Sequence, residues 1–304
     1  MDGTAPALDR SGFDPQTARM VSQVVQLFSN PASGSYRARR LRALVRALEA
    51  RGAIVHRSES RDGIPIIRDD ATHVCVAAGD GTVRHVAGAV ARTGRPLALS
   101  VYPAGTINLL AREAGYPRRP EEFARLVLAT EPQRRHYAVA IDNGYFFACA
   151  GVGPDSLAVA SVAPGLKRAI GRLAYAVAFL RRLPSWPRRR IALTCDGRDI
   201  ACEAFYVAKG RYYAGDWSFA PAARLDEPLM HVVALTTARR RDYFRFVWTL
   251  FRRGDVARLA NVEIATCTSL SATADEALPI QADGDVVGAL PATLTLSEAP
   301  LIFC

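Results

Sequence analysis

Residues 76–86 read VAAGDGTVRHV, and this stretch predicts the fold of the N-terminal part of the chain. The apolar run that ends at Ala78 is typical of a buried strand, and a helical pattern starts directly after it. Two glycines, Gly79 and Gly81, flank an acidic residue at the turn, so that a ligand can come close to the backbone. Because amide groups at the start of a helix attract anions, the turn is a candidate phosphate-binding loop.

Two interpretations of Asp80 remain open from these residues. An acid in such a loop repels phosphate unless a cation lies between them, so Asp80 can bind magnesium or accept a hydrogen bond from a hydroxyl group. It can equally cap the helix of an ordinary strand–helix turn. The loop is not a dinucleotide fingerprint, because Arg84 stands where a third glycine is expected. The two lysines, Lys167 and Lys209, lie outside any Walker-type loop.

Two further turns resemble this one. The turn NPASG (30–34) follows a strand-like segment at 22–29, and PAGTIN (103–108) follows another at 96–103. Strands that alternate with helices predict a parallel sheet, whose carboxyl ends gather at one edge. Three strand ends that each carry Gly with Ser, Thr or Asn favour a nucleotide cleft over three separate helix caps.

The remaining elements divide the chain into two parts. In the first, helices are predicted near 36–51, 82–93 and 106–114, and strands near 53–56 and 72–78. Beyond about residue 134, short alternating segments predict an antiparallel β domain, interrupted by helical stretches near 166–182 and 241–252. We therefore expect a flexible segment at 1–20, an α/β nucleotide-binding domain at 21–133, and a β domain at 134–304 whose C-terminal segment returns to the first domain.

Composition narrows the choice of partners and compartment. The 304-residue chain has a net charge of +10, which favours an acidic partner such as a nucleotide or an anionic membrane. Arginine supplies nearly all of this charge and can reflect genome composition, so we expect no nucleic-acid partner. The six cysteines form no CxxC pair, which indicates reduced thiols. The chain opens without an apolar leader and contains no long apolar run, so we expect a cytoplasmic protein, soluble or peripheral at a membrane.

The motifs NPASG, AAGDGTV and PAGTINLLAR, in this order and spacing, resemble the diacylglycerol kinase catalytic-domain family. That family includes bacterial lipid kinases and the sphingosine and ceramide kinases. The likeness continues through AGVGPDSLAV to QADGDVVGALPATLTL and covers nearly the whole chain after about residue 22. The GDGT element is shared with NAD kinases, whereas PAGTxNxLAR and the late DGD turn point to the lipid branch.

The resemblance implies a Rossmann-like α/β nucleotide-binding domain followed by an antiparallel β-sandwich domain, with the active site in the cleft between them. It implies that ATP, with Mg²⁺, donates its γ-phosphoryl group to a hydroxyl of a membrane lipid: diacylglycerol, or a ceramide or sphingoid base. The acceptor would be met at the inner face of a membrane. The nucleotide contacts implied in this way are Asn30, Ser33, Gly34, Gly79, Asp80, Gly81, Thr82, Gly105, Thr106 and Asn108.

The resemblance also assigns roles to acids in the second part. Asp283 matches the position usually proposed as general base, although in sphingosine kinases that role is often given to the acid matching Asp80. The residues alone favour an ordinary hairpin turn at Asp283-Gly284. Asp226 matches an acid of the metal network, and Asp155 falls where family members meet the substrate head group.

The chain departs from the family pattern at several positions. Arg84-His85 replaces an Asn-Glu pair, Lys209 replaces an asparagine, and Glu227 replaces a glycine. These changes keep two alternatives open: a kinase of a soluble acceptor such as NAD, and an inactive relative that binds nucleotide or lipid. The sequence does not decide the oligomeric state.

Two stretches combine an apolar middle with basic ends, at 166–182 and 241–253. The second places Phe244, Val247, Trp248 and Phe251 on one helical face. Such a helix can lie on an anionic bilayer or can face the core with its arginines in water. We predict that the basic rims bias the protein toward membranes.

Overall fold

The computed structural model describes residues 23–31, 36–60, 64–129, 134–142, 144–161, 188–213 and 215–304. The segment 1–20, the residues Ser33 and Gly34, and the stretch 166–182 lie outside the described residues. No helix within the described ranges combines the length and the apolar character needed to cross a bilayer.

The first part of the chain forms a mainly parallel sheet with helices packed on it. Its elements are β1 (Val24–Ser29), α1 (Ala38–Glu49), β2 (Ile54–Glu59), β3 (His73–Ala78), α2 (Asp80–Thr93), β4 (Ala98–Pro103), α3 (Leu109–Glu113), α4 (Pro120–Val127) and β5 (Arg134–His136). Strand β1 pairs in parallel with β2 and β3, and β3 pairs in parallel with β4. Strands β3 and β4 are buried almost throughout, as expected for a sheet covered on both faces.

Helix α2 begins where the glycine loop ends. Gly79 is the extended N-cap residue, Asp80 lies in the first turn, and Gly94 ends the helix in the left-handed conformation at φ 63°. Val83, Val86 and Val90 form its buried face against the sheet. The side chains of this face recur every three or four residues, so α2 is held by packing of one apolar stripe.

The second part forms an antiparallel β-sandwich. Its elements are β6 (Val139–Ile141), β7 (Gly144–Phe146), β8 (Cys149–Val152), α5 (Pro154–Ser161), β9 (Ile191–Cys195), β10 (Arg198–Cys202), β11 (Ala204–Ala208), β12 (Met230–Leu235), α6 (Arg240–Phe251), β13 (Val262–Cys267), β14 (Ser269–Ala274), β15 (Pro279–Ala282), β16 (Asp285–Ala289) and β17 (Ala292–Leu296), and the last strand of the chain is β18 (Leu301–Phe303). Two six-stranded sheets, β10-β9-β14-β17-β6-β7 and β13-β12-β11-β8-β15-β16, enclose one apolar core. The predicted fold class, α/β followed by an antiparallel sandwich, is confirmed.

Strand β18 belongs to the first sheet although it ends the chain. It pairs in parallel with β4 and antiparallel with β5, which gives the order β2-β1-β3-β4-β18-β5. Phe303 is buried there, and the Tyr116 hydroxyl donates to the Cys304 carbonyl at 2.8 Å. The chain therefore leaves the first sheet after β5 and returns to it at β18. The division at residue 134 stays a prediction.

Candidate active site

The two glycine loops that follow β3 and β4 pack directly against each other. A Cβ atom on Gly105 would clash with the Cα atom of Gly79 and would lie 2.8 Å from Asn108 Oδ1. Asn108, in the left-handed conformation, accepts from the Gly105 amide at 2.6 Å and donates to the Gly105 carbonyl at 2.8 Å. Backbone packing therefore requires a glycine at 105. The Asn108 side chain, predicted to contact nucleotide, is engaged by its own loop.

The third predicted turn reaches the same edge of the sheet. Asn30, directly after β1, donates through Nδ2 to Thr82 Oγ1 at 3.4 Å. Thr106 is exposed at the tip of the loop after β4. The structure thus brings together the described loop residues that the sequence selected. Ser33 and Gly34 are not among them because they lie outside the described residues.

A cleft with a basic wall opens beside these loops. It is lined by Asn30, Tyr36, Arg37, Arg40, Leu41, Ala77, Ala78, Tyr102 and Ala104. Arg40 donates from Nε to the Tyr102 hydroxyl at 3.0 Å and lies over the Tyr102 ring at 5.0 Å from its centre. Arg37 and Arg40 were missed by the sequence analysis, although the basic start of the helix after NPASG was an available signal. Guanidinium groups beside open helix amides suit the phosphates of a nucleotide.

Asp80 holds a buried carboxyl group at the start of α2. Burial raises its pKa to about 6, and the neighbouring Asp283 carboxylate contributes in the same direction. The backbone amides of residues 108–110, at the start of α3, partly offset this rise. Its Oδ1 atom is buried and has no hydrogen-bond partner among the described residues. This oxygen is the atom of the loop best placed to take a proton or a cation.

Asp283 is both a hairpin residue and a buried acid. With Gly284 it forms the turn between β15 and β16, at φ 49° and 88°. Its Oδ2 accepts from the Phe147 amide at 2.8 Å, and its Oδ1 accepts from the amides of Ala148 and Cys149 at 3.0 and 3.1 Å. Burial raises the pKa of this carboxyl group, and the three amides oppose the rise. Both oxygens are thus used to hold the segment between β7 and β8.

Asp285 lies closer to the glycine loop and was not selected from the sequence. A Cβ atom on Gly81 would come within 2.5 Å of Asp285 Oδ2, so this carboxylate lies against the loop. Its partner is Arg84, at 3.6 Å, and Arg84 also lowers the pKa of Asp283. The departure at Arg84 therefore supplies a cation opposite the hairpin acids. The sequence feature that could have identified Asp285 is the second acidic residue of the turn Asp283-Gly284-Asp285.

Asp155 lies at the start of α5 among tyrosines. Its carboxylate accepts from the hydroxyls of Tyr213 at 2.6 Å and Tyr206 at 3.2 Å, and Tyr206 shares a 2.9 Å hydrogen bond with Tyr243. Burial raises the pKa of Asp155. These tyrosines were not predicted, because they come from distant segments.

Three of the four predicted acids act on one buried thiol. Burial raises the pKa of the Cys149 thiol, and Asp283, Asp80 and Asp155 each raise it further. Of these acids, Asp283 contacts Cys149 directly, because its Oδ1 accepts from the Cys149 amide at the start of β8 at 3.1 Å.

Asp226, the predicted metal ligand, lies in a different setting. Its carboxylate pairs with the guanidinium of Arg224 at 2.8 Å, which lowers its pKa. The preceding residues are held by buried Lys209, whose Nζ donates to the carbonyls of Arg224 at 2.6 Å and Leu225 at 3.0 Å. Burial lowers the Lys209 pKa to about 8. The Lys209 substitution thus has a structural role, and a metal role for Asp226 stays a prediction.

Comparisons with known proteins identify relatives of both parts of the chain. The model of the diacylglycerol kinase catalytic domain matches residues 24–140. The model of the YegS C-terminal NAD kinase beta sandwich-like domain matches residues 148–302. The chain is 27% identical over 220 residues to the diacylglycerol kinase of Bacillus subtilis (strain 168), covering 72% of each chain. It is 30% identical over 211 residues to a "probable lipid kinase YegS-like" protein of Pseudomonas aeruginosa (strain UCBPP-PA14), covering 68% of each.

A solved structure shares the fold. The crystal structure of a diacylglycerol kinase from Bacillus anthracis str. Sterne superposes with a TM-score of 0.75 at 18% identity, covering 93% of this chain and 96% of that one. That structure and this chain share an α/β part followed by a β-sandwich. The chain belongs to the diacylglycerol kinase catalytic-domain family, with its YegS-like lipid kinases, and at the level of the family it is an ATP-using lipid kinase.

Proposed function

We propose that this protein transfers the γ-phosphoryl group of ATP to the hydroxyl of diacylglycerol at a membrane surface. The observation that carries the proposal is the position of the Asp285 carboxylate against the glycine loop at Gly81, next to Asp80, whose buried Oδ1 atom has no hydrogen-bond partner among the described residues. Relatives named diacylglycerol kinase favour this acceptor over a ceramide, a sphingoid base or NAD. We place the protein on the cytoplasmic side, peripheral to the membrane.

The glycine loops would hold the triphosphate. Gly79 and Gly81 lie at the start of α2, where the backbone amides and the helix dipole favour negative charge, and the exposed Thr106 lies in the neighbouring loop after β4. Arg37 and Arg40 line the neighbouring cleft and add positive charge. Because phosphoryl transfer depends mainly on positioning and charge neutralisation, these groups would perform most of the work at the nucleotide.

Asp285 is the group that we propose takes the proton of the acceptor hydroxyl. Both oxygens of Asp283 accept amide hydrogens, so Asp283 is a positioning residue that holds the residues between β7 and β8. The Asp285 carboxylate reaches the loop at Gly81 and keeps about a third of its side chain (31%) accessible to an acceptor. Arg84 beside it would stabilise charge on the transferring group.

Mg²⁺ fits the residues present. Mg²⁺ uses one or two carboxylates together with phosphate and water oxygens. The unpartnered Asp80 Oδ1 would supply such a carboxylate. The described residues contain no group of three or more metal-binding side chains, which agrees with an ion held largely by nucleotide. Bound Mg²⁺ would neutralise phosphate charge, and the side chains would orient it.

The acceptor would enter beside Asp155. Diacylglycerol offers one hydroxyl at the end of a polar head, and the tyrosines around Asp155 form a cluster with both aromatic faces and hydroxyl groups. Such a surface contacts an apolar glyceride while its polar groups orient the head.

The test is a panel assay with labelled ATP and diacylglycerol, ceramide, sphingosine and NAD as acceptors. We expect labelled phosphatidic acid as the main product, with Asp285→Asn lowering its rate by about 10²- to 10⁴-fold. Asp275→Asn changes an exposed acid elsewhere and should keep the rate. Faster labelling of another acceptor, or an unchanged rate in Asp285→Asn, would overturn the proposal.

A further inference from the structure

Helix α6 exposes a row of aromatic side chains. Phe244, Trp248 and Phe251 are exposed by 61%, 54% and 59%, and their spacing puts them on one face of the helix. Trp248 stacks on Phe251 with ring centres 5.6 Å apart, and Trp217 meets Phe251 edge-on at 6.2 Å. We call Phe244, Trp248 and Phe251 the α6 aromatic face. Contiguous exposed aromatic side chains mark an interaction surface.

The opposite face of α6 already forms the core contact of the helix. Tyr243, Phe246 and Leu250 are buried, and Phe246 stacks on Tyr206 with ring centres 5.4 Å apart. Of the two predictions for the stretch 241–253, packing against the core therefore describes Tyr243, Phe246 and Leu250. The α6 aromatic face is a second apolar surface on the same helix, directed away from the core.

Arginines surround the α6 aromatic face. The exposed ones are Arg239, Arg240, Arg241, Arg245, Arg252 and Arg253. Arg241 pairs with Asp242 at 3.6 Å, and Arg253 pairs with Asp216 at 3.2 Å. In contrast, Arg245 and Arg252 form no ion pair within the described part of the chain and leave positive charge on the surface. Two copies of such a surface would bring like charges together, which disfavours self-association. An aromatic centre with a basic rim is instead complementary to an anionic bilayer.

We propose that the α6 aromatic face docks on the surface of a bilayer that contains anionic lipid. The aromatic rings would lie at the boundary between head groups and acyl chains, and Arg245 and Arg252 would pair with anionic head groups. The inner face of α6 carries Tyr243, which bonds Tyr206 beside Asp155. Docking would therefore bring the acceptor end of the site to the bilayer. This purpose rests on the proposed function, whereas the docking itself does not.

Co-sedimentation of the full chain with vesicles tests the proposal. We expect binding to phosphatidylcholine vesicles that contain phosphatidylglycerol, little binding to phosphatidylcholine alone, and loss of binding as salt is raised. Arg245→Ala with Arg252→Ala should weaken binding about 30-fold, at about fivefold for each arginine. Trp248→Ala with Phe251→Ala should weaken it about tenfold or more. Control variants Arg125→Ala and Ile66→Ala remove exposed side chains of α4 and the segment before β3 and should bind normally.

Three results would overturn the docking proposal. The first is that the wild-type chain does not bind vesicles that contain phosphatidylglycerol at low salt. The second is that the two double variants bind like the controls. The third is a dimer that Trp248→Ala with Phe251→Ala disperses, with no vesicle binding, since the surface would then serve self-association. The arginine variant keeps every buried side chain of α6, so folding does not confuse the result.

Kinase activity on short-chain diacylglycerol dispersed in water, without vesicles, separates this proposal from the proposed function. Both double variants should phosphorylate it at the wild-type rate, because they leave unchanged the buried α6 residues Tyr243, Phe246 and Leu250, of which Tyr243 bonds Tyr206 beside Asp155. Vesicle binding without phosphorylation of any diacylglycerol would refute the proposed function and leave the docking surface standing.

Discussion

The Asp80 side chain is a buried carboxyl group whose ionised form is unfavourable in the folded protein. The folded-state pKa of about 6 lies above the value of about 3.9 in an unfolded chain. Between these values the folded protein keeps a proton that the unfolded chain has lost. This group therefore lowers the free energy of unfolding as pH rises from about 4 to about 6.

Asp80→Asn should thus stabilise the protein by on the order of 2 kcal/mol at pH 8 and have little effect near pH 4. The same change should lower kinase turnover by about 10²-fold or more, because the ionised group is lost. Urea unfolding at the two pH values, together with turnover, measures both. A variant less stable than the wild-type chain at pH 8 would contradict this account of Asp80.

The wild-type pH profile gives a related prediction. Because Asp80 must be ionised to hold a cation, kcat/KM should rise with pH through about 6 and then level. The step should be absent from the residual activity of Asp80→Asn. If kcat/KM of the wild-type enzyme changes by much less than about tenfold between pH 5 and pH 8, the claim that activity requires ionised Asp80 is contradicted.

Asp283 and Asp285 should separate into a structural and a chemical role. Asp283→Asn places an amide group against the Phe147 or Ala148 amide and should lower the free energy of unfolding by about 1–3 kcal/mol. Asp285→Asn should change stability by less than about 0.5 kcal/mol while abolishing most activity. Thermal unfolding and turnover of the two variants, measured together, check the assignment. A fully stable but inactive Asp283→Asn would reverse it.

At the scale of residues, the glycine loop was predictable because its signal is local. Gly79, Asp80 and Gly81 lie side by side, and the strand before them ends where the apolar run ends. The contact of Asp285 with Gly81 was not predictable, since it depends on the position of a hairpin far away in the chain. The resemblance to the family led to Asp283, in the same turn, and the choice between Asp283 and Asp285 as proton acceptor stays a prediction.

At the scale of elements, the two glycine loops form one unit. Gly105→Ala should clash with the Gly79 backbone, which cannot move as a flexible side chain could, and should cost about 2–3 kcal/mol of stability. Gly144→Ala is the matched control, because a Cβ atom there lies 3.8 Å from the nearest atom. Chemical denaturation compares the two variants, and equal midpoints would contradict the proposed packing.

The elements themselves were predictable to within a few residues. The helix predicted at 82–93 is α2, and the strand at 72–78 is β3, because an apolar period marks each of them. The helix predicted at 106–114 starts later, at Leu109, since Asn108 adopts a left-handed conformation to bond Gly105. The apolar periodicity of the sequence cannot predict this later start, because the conformation of Asn108 depends on hydrogen bonds between its side chain and the loop.

At the scale of the whole molecule, β18 ties the end of the chain to the first sheet. Deleting residues 300–304 removes this strand from between β4 and β5 and exposes their backbone groups. It also removes the buried side chains of Leu301 and Phe303. We expect a loss of stability of about 3 kcal/mol or more and loss of cooperative unfolding, seen by calorimetry. Retention of the wild-type unfolding transition would show that β18 is dispensable.

The return of β18 illustrates what the sequence could predict of the whole. The order of an α/β part and a β part could be predicted, because near residue 134 the sequence changes from alternating strand and helix patterns to short segments of alternating apolar and polar residues. The three-residue length of β18 is too short for a periodic signal, and its place in the sheet depends on the long-range register with Ala98 and Leu99. Long-range pairing of this kind is decided by the assembled core.

The most direct test of the central claim is transfer of label from γ-labelled ATP to diacylglycerol in vesicles that contain phosphatidylglycerol. We predict labelled phosphatidic acid from the wild-type chain, and a loss of about 10²-fold or more in Asp285→Asn while its thermal unfolding is unchanged. No labelled phosphatidic acid from a folded wild-type chain that binds the same vesicles would contradict the account.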